Sequence, residues 1–222
     1  VQSGRVQLTH FGHACVLIDT GTARLLIDPG AFSTGFESLT GLDAVLITHQ
    51  HFDHLEPERL PDLLRANPDA RVIVDPGTAG HLEGVDHEVV APGDSLEIAG
   101  ARVDVIGDGD HAVIHPDIPM IANNGYLVGD VDAPGTLLHP GDAYVPLPAG
   151  LDPVETLLLP TGAPWLKVAE AVDYLRAMTP RTAVPIHEAV LADPGMHYGL
   201  FTNLAPKGTT VKVLERETAS AL

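Results

Sequence analysis

The segment His49-Gln50-His51-Phe52-Asp53-His54 places four metal-competent side chains within six residues, directly after the apolar run Asp43-Ala44-Val45-Leu46-Ile47-Thr48. The run is short and rich in β-branched residues, so it reads as a buried strand that delivers its carboxyl end into a loop. Strand carboxyl ends are where α/β folds assemble their sites. Residues i, i+2 and i+4 of an extended segment face one side, so His49, His51 and Asp53 can share a face while the neighbours Asp53 and His54 diverge. One residue can then serve one metal and the next a second. Imidazole and carboxylate donors suit zinc, iron or manganese. The stretch has a plainer reading too: Asp53 as an N-cap, with Glu56 completing a capping box for a helix over Leu55–Ala66. The two roles are compatible.

Three distant segments repeat the pattern of an apolar run ending in His or Asp: Asp108-Gly109-Asp110-His111, Leu137-Leu138-His139-Pro140-Gly141-Asp142 and Val184-Pro185-Ile186-His187-Glu188. Strands of one sheet bring such ends to a common rim. A two-metal site accommodates them, with His49, His51 and His111 at one metal, Asp53, His54 and His187 at the other, and Asp142 between. Two divalent ions against these carboxylates leave net positive charge, which generates hydroxide near neutral pH. His115 competes with His111 for the third histidine position, and Asp142 has a plainer reading as a Gly-Asp turn residue.

The motif Thr48–His54, the later single His, Gly141-Asp142 and His187 resemble the metallo-β-lactamase superfamily, in order and spacing from about residue 6 to 215. Phe11-Gly12-His13-Ala14, Leu26-Ile27-Asp28-Pro29 and His139-Pro140-Gly141-Asp142 resemble, more narrowly, its stand-alone branch that includes the ascorbate-6-phosphate lactonase and many metal-dependent hydrolases. The resemblance implies an α+β fold, a four-layer αββα sandwich with the site at one edge between the sheets. It also implies the ligand set His49, His51, Asp53, His54, His111, Asp142 and His187, two divalent ions (zinc first, with manganese or iron also used by similar folds), and Asp53 and His54 in catalysis. By the same resemblance His13 lies beside the site, to orient a ligand or substrate, and Asp28 organises the His loop without binding metal.

His13 and His139 also read as structural histidines, and His10, His81, His87 and His197 as surface ones. Thr161–Lys167 follows a strand and shares the rim. There Trp165, the sole tryptophan, either walls a pocket or packs into the core, and Lys167, one of three lysines, could meet an anionic group.

A chain of 222 residues, 45% hydrophobic, fits one domain spanning 1–222. Twelve basic against thirty acidic residues give a net charge of −18, which argues against nucleic acid and anionic membranes as partners. No apolar run approaches the roughly 20 residues of a membrane span. Val1–Arg5 shows no signal-peptide pattern, and the missing initiator Met is expected of a processed or trimmed N-terminus. Cys15, the only cysteine, sits in an apolar run and reads as a buried small hydrophobe, which fits a reducing cytoplasm.

Strands are expected near 5–10, 14–19, 24–28, 43–48, 71–74, 87–90, 95–99, 101–107, 112–114, 124–129, 135–139, 156–160, 182–186 and 209–215, with helices near 55–66, 77–82, 165–178 and 195–204. The expected function is hydrolysis of a small ester, lactone or phosphoester by metal-activated hydroxide. Neither the basic surface of a nuclease, the long tail of a glyoxalase-type thioesterase nor a flavin domain is visible, and no G-x-S-x-G pattern marks a serine enzyme. The alternative is a metal-binding sensor of the same superfamily without turnover. A small-molecule substrate is the expected partner; the sequence is silent on oligomeric state, and a homo-oligomer is left open because related stand-alone domains often assemble.

Overall fold

The computed structural model describes residues 6–131, 135–151 and 153–222. Val1–Arg5, the span without a signal-peptide pattern, lie outside them. Among the described residues, fourteen short strands form two seven-stranded sheets. In chain order they are β1 (Gln7–His10), β2 (Val16–Asp19), β3 (Arg24–Ile27), β4 (Ala44–Leu46), β5 (Arg71–Val74), β6 (Glu88–Val89), β7 (Ser95–Ile98), β8 (Ala101–Ile106), β9 (Gly125–Asp130), β10 (Leu137–His139), β11 (Thr156–Pro160), β12 (Thr182–Ile186), β13 (Thr210–Val211) and β14 (Ser220–Ala221). The helices are α1 (Leu60–Ala66), α2 (Val168–Met178) and α3 (Pro194–Leu204), with single 3-10 turns at Phe36–Ser38 and Thr78–His81.

The first sheet runs β14-β1-β2-β3-β4-β5-β6 and the second β13-β12-β11-β10-β9-β8-β7. In the first, β1, β2 and β3 pair antiparallel and β3 to β6 parallel. In the second, β7 to β10 pair antiparallel and β10 to β13 parallel. The central strands are apolar on both faces because both faces are covered. Along β3 and β4, Leu25, Ile27, Ala44 and Leu46 face the inter-sheet core together with Val103, Tyr126, Leu158 and Val184 of the other sheet. The alternate residues Leu26 and Val45 pack outward with Leu60 and Leu63 of α1. Leu157, Leu159 and Ala183 pack outward with α2 and with Phe201 of α3. The result is the αββα sandwich, each layer following from period-two alternation in the strands.

Strand direction decides where the site lies. β1, β3 and β4 run one way in the first sheet, since two antiparallel steps separate β1 from β3. β8, β10, β11 and β12 likewise share one direction in the second. Cross-sheet hydrogen bonds draw the two sets of carboxyl ends together: Asn124 N–H to Thr48 O at 2.9 Å, Tyr126 O–H to Ile47 O at 2.8 Å, and His187 N–H to His13 O at 2.8 Å.

Several elements differ from expectation. The helix expected over 55–66 begins at Leu60. The His54 and Leu55 amides are committed to the His51 carbonyl in a tight turn, and Pro57 follows. Asp53 caps nothing; its carboxylate meets His13 instead. The helix expected over 165–178 begins at Val168, after the Pro164 turn. Residues 112–114 form no strand; they belong to a loop closed by the Asp110–Ala122 bridge. The strand expected at 209–215 is only Thr210–Val211, and the chain end instead adds β14 beside β1. His10, expected at the surface, is buried at the end of β1, its ring N–H donating to His13 O at 2.9 Å.

Candidate metal centre

Every residue of the centre comes from a strand end on the shared rim: His13 beyond β1, Asp28 beyond β3, Thr48–His54 beyond β4, His111 beyond β8, Asp142 beyond β10, Trp165 beyond β11 and His187 beyond β12. Two groups result. His49, His51, His111 and Asp142 bring donor atoms within 4.8 Å of one another, and so do His13, Asp53, His54 and His187. Asp142 lies between them. Its Oδ1 is 3.1 Å from His187 Nε2 and 3.3 Å from His54 Nε2, while its Oδ2 is 3.4 Å from His111 Nε2.

Hydrogen bonds behind the rings fix their tautomers. Asp28, in a left-handed conformation at φ 52°, accepts from the Thr48 amide at 2.8 Å, the Thr48 hydroxyl at 2.7 Å and His54 Nδ1–H at 2.7 Å. The Thr48 hydroxyl has one hydrogen and spends it on Asp28, so it accepts from His49 Nδ1–H at 3.0 Å. His111 Nδ1–H donates to Ala112 O and His187 Nδ1–H to Gly162 O, each at 2.6 Å. The Nε2 lone pairs of His49, His54, His111 and His187 are thereby turned inward.

The inward faces hold unmet polar demand. His54 Nε2 and His187 Nε2 stand 3.1 Å apart, as do His49 Nε2 and His51 Nδ1. Facing lone pairs at that distance repel unless a cation lies between them. His111 Nε2 and Asp142 Oδ1 are buried without a hydrogen-bond partner. Buried polar atoms are nearly always satisfied, so this donor set of imidazoles and a carboxylate fits divalent transition-metal ions.

The electrostatics agree. Burial, together with neighbouring imidazoles, pushes His49 well below the usual imidazole range and His51 down as well. Burial opposes charge on His54 and His187 too, but Asp142, aided at His54 by Asp28, outweighs it and raises both. Burial would raise Asp142, yet His187 and His54 hold it well below the carboxylate range. The centre therefore attracts positive charge.

His13 sits in a left-handed conformation at φ 53°, and its Nδ1 accepts from the Ala189 amide at 3.2 Å. Its Nε2–H then donates to Asp53 Oδ2 at 3.0 Å. Burial brings His13 down to about 4, so the ring is neutral, and the Asp53 carboxyl, despite its burial, is held at about 2 by that bond. His139 Nε2 donates to Ala14 O at 3.0 Å and lies 3.8 Å from Asp28 Oδ2, behind His54. Trp165 is buried, and its Nε1–H donates to Asp142 Oδ2 at 2.8 Å. His115 is exposed beside Asp117, and Lys167 is exposed with its ammonium 3.2 Å from Glu170.

Sequence reasoning passed over Asn123, whose Oδ1 accepts from the Asp142 amide at 2.9 Å and whose amide donates to Pro140 O at 3.0 Å. The Asn pair inside the run 121–125 was the available signal, since a buried Asn must be satisfied. Glu188 was passed over as well. Buried beyond β12, it takes the His13 amide at 3.2 Å and Arg216 at 2.9 Å. Nothing in the local sequence links positions so far apart.

The family model described as Beta-lactamase superfamily domain matches residues 7–187. Protein Rv0786c of Mycobacterium tuberculosis is 51% identical over 217 residues, 96% of this chain and 99% of its own. The UPF0173 metal-dependent hydrolase PAE2160 of Pyrobaculum aerophilum is 30% identical over 199 residues, 82% of this chain and 84% of its own. Among solved structures, Igni18, a metallo hydrolase from Ignicoccus hospitalis, has a TM-score of 0.71 at 20% identity over 98% of both chains, a likeness of fold. The rim of convergent histidines and the match along most of the chain have one meaning: this protein belongs to the metallo-β-lactamase superfamily, with relatives named as UPF0173 metal-dependent hydrolases.

Proposed function

We propose that this chain is a hydrolase of small esters, lactones or phosphoesters that works with two divalent ions, zinc first among them. His49, His51 and His111 would hold one ion and Asp53, His54 and His187 the other, with one Asp142 oxygen toward each. The observation that carries this reading is the pair of inward imidazole nitrogens of His54 and His187 at 3.1 Å, each with its proton committed on the far side of the ring. When bound, the ions supply Lewis acidity, which makes hydroxide available at neutral pH and polarises the scissile carbonyl or phosphoryl oxygen.

The protein's own groups supply placement. Asp28 and Thr48 hold His49 and His54 in their tautomers, and Trp165 and Asn123 hold Asp142. His13 donates to one Asp53 oxygen and keeps that carboxylate ionised beside the second histidine group. Lactones stay among the substrates because of the resemblance of the segments around His13, Asp28 and His139 to the lactonase branch. Among the described residues no helix is long and apolar enough to cross a membrane. The single buried Cys15 supports a reducing, cytoplasmic setting.

The test is elemental analysis of protein purified without a histidine tag or added metal, followed by assay on p-nitrophenyl esters and bis(p-nitrophenyl) phosphate. Two equivalents of one transition metal, with turnover abolished by chelation, are expected. Two bound metals without turnover across broad panels would favour the non-catalytic reading, and no metal even after reconstitution would overturn the metal centre.

A further inference from the structure

One small cavity opens directly onto the first histidine group. It is about 70 Å³ and is lined by His51 and His111 together with Val113, Ile114, Ile118 and Met120 of the 111–122 loop. That is several times the space a single water needs. Apart from the two histidines, every described residue of the lining is apolar. Met120 is 49% and Val113 58% exposed, and Phe52, between His51 and Asp53, is 60% exposed with its ring 5.2 Å from Phe32. Large apolar side chains left in water around a polar centre mark a surface that something apolar covers.

Cations are missing from the same place. The cavity lining holds no Lys or Arg. The basic side chains nearest the rim each face a carboxylate: Lys167 meets Glu170, Arg59 meets Glu37 and Arg216 meets Glu188. A phosphate group is recognised through such donors, and the chain as a whole carries a charge of −18.

We propose that this cavity seats the acyl group of the substrate, and that the substrate is an uncharged ester or lactone with a short apolar acyl chain. The assignment rests on the hydrolase reading above and narrows it. In the reaction the oxygen of water bonds to the acyl carbon and the acyl–oxygen bond breaks. One proton of water ends on the leaving alcohol oxygen, and the carboxylic acid ionises. No other reactant is needed.

Two readouts separate the cavity from the chemistry. On the zinc-loaded protein, calorimetry with acetate, propionate and butyrate as probes reads the cavity without turnover. Affinity should rise about 4-fold per methylene, about 15-fold from acetate to butyrate, the gain from burying each CH₂. In Ile118→Asp, and independently in Met120→Asp, that ratio should fall to near one. Both side chains are about half exposed, so both variants should fold. Equal affinity across the series would overturn the cavity's role. In parallel, kcat/KM should climb from p-nitrophenyl acetate to butyrate and exceed that for bis(p-nitrophenyl) phosphate. Preference for the phosphodiester would overturn the substrate class. A carboxylate ladder without turnover of any ester would leave the apolar seat standing and remove the hydrolase reading. Turnover without any ladder would do the reverse.

Discussion

Asp142 has the most demanding position in the molecule, because its two oxygens face different histidine groups. Asp142→Ala should lose metal occupancy and activity together, as elemental analysis and assay would show; full activity with two metals would refute the assignment. Placement favours His111 over His115 as the proposed ligand. His111 Nε2 is buried in the cluster, and His115 is exposed beside Asp117. His111→Ala should cost about one metal equivalent, and His115→Ala should leave stoichiometry and rate unchanged. Trp165→Phe removes the donor to Asp142 Oδ2 while preserving most of the packing. Groups that orient ligands are worth about 10–100-fold in metal affinity or activity, so a metal titration of this variant should show a loss of that size. The ligand types were readable in the sequence, because H-x-H-x-D-H after an apolar run concentrates imidazole and carboxylate donors at a single strand end. The partners behind them were not: Trp165 and Asp142 are 23 positions apart, and His13 and Ala189 are 176 apart.

At the scale of elements, the loop after β3 is pressed against the histidine loop. A Cβ placed on Gly30 would lie 1.9 Å from the Asp53 carbonyl oxygen, which is backbone and cannot swing away. Gly30→Ala should therefore displace Asp53 and His54 and destabilise the fold by about 1–3 kcal/mol. A denaturant midpoint paired with metal content checks it, and a midpoint and metal content matching the parent would refute it. β11 and β12 form where their apolar runs predict, Thr156–Pro160 and Thr182–Ile186, because both faces of each strand are buried. Loops were harder. Ala112-Val113-Ile114 carries strand-like residues yet forms no ladder, since the segment serves as a wall of the apolar cavity beside His111. Local propensity yields where tertiary context assigns a segment another task.

At the scale of the whole molecule, the centre joins the two sheets: His49, His51, Asp53 and His54 come from one, and His111, Asp142 and His187 from the other. Bound metal is thus linked to global folding, and chelation should lower the thermal midpoint. Above the unfolded imidazole pKa the two forms should respond differently to pH. In the metal-free protein, Asp142 raises His54 and His187 above their unfolded value. Their contribution to stability is then fully present below the unfolded imidazole pKa and is lost as pH rises through the folded one. In the loaded protein, protons compete with metal for the same nitrogens, so the metal-dependent rise in midpoint should grow with pH. Thermal scans above the unfolded imidazole value of 6.5, where the lowered His49, His51 and His13 are neutral in folded and unfolded chains alike, should show the curves with and without chelator diverging as pH rises; parallel curves would refute the linkage.

The sequence by itself determined the apolar strands and the donor-rich strand ends. Continuous apolar runs such as Thr156–Pro160 pointed to strands buried on both faces, and imidazoles with carboxylates at strand ends pointed to a metal-competent rim. Only the tertiary structure decided which ends meet. Strand direction is a property of pairing between distant segments, and it is the parallel set β3–β4 facing the parallel set β10–β12 that places Asp142 between the two histidine groups. The same pairing buried His10 and exposed His115, because burial depends on what lies opposite a residue and not on the residue's type.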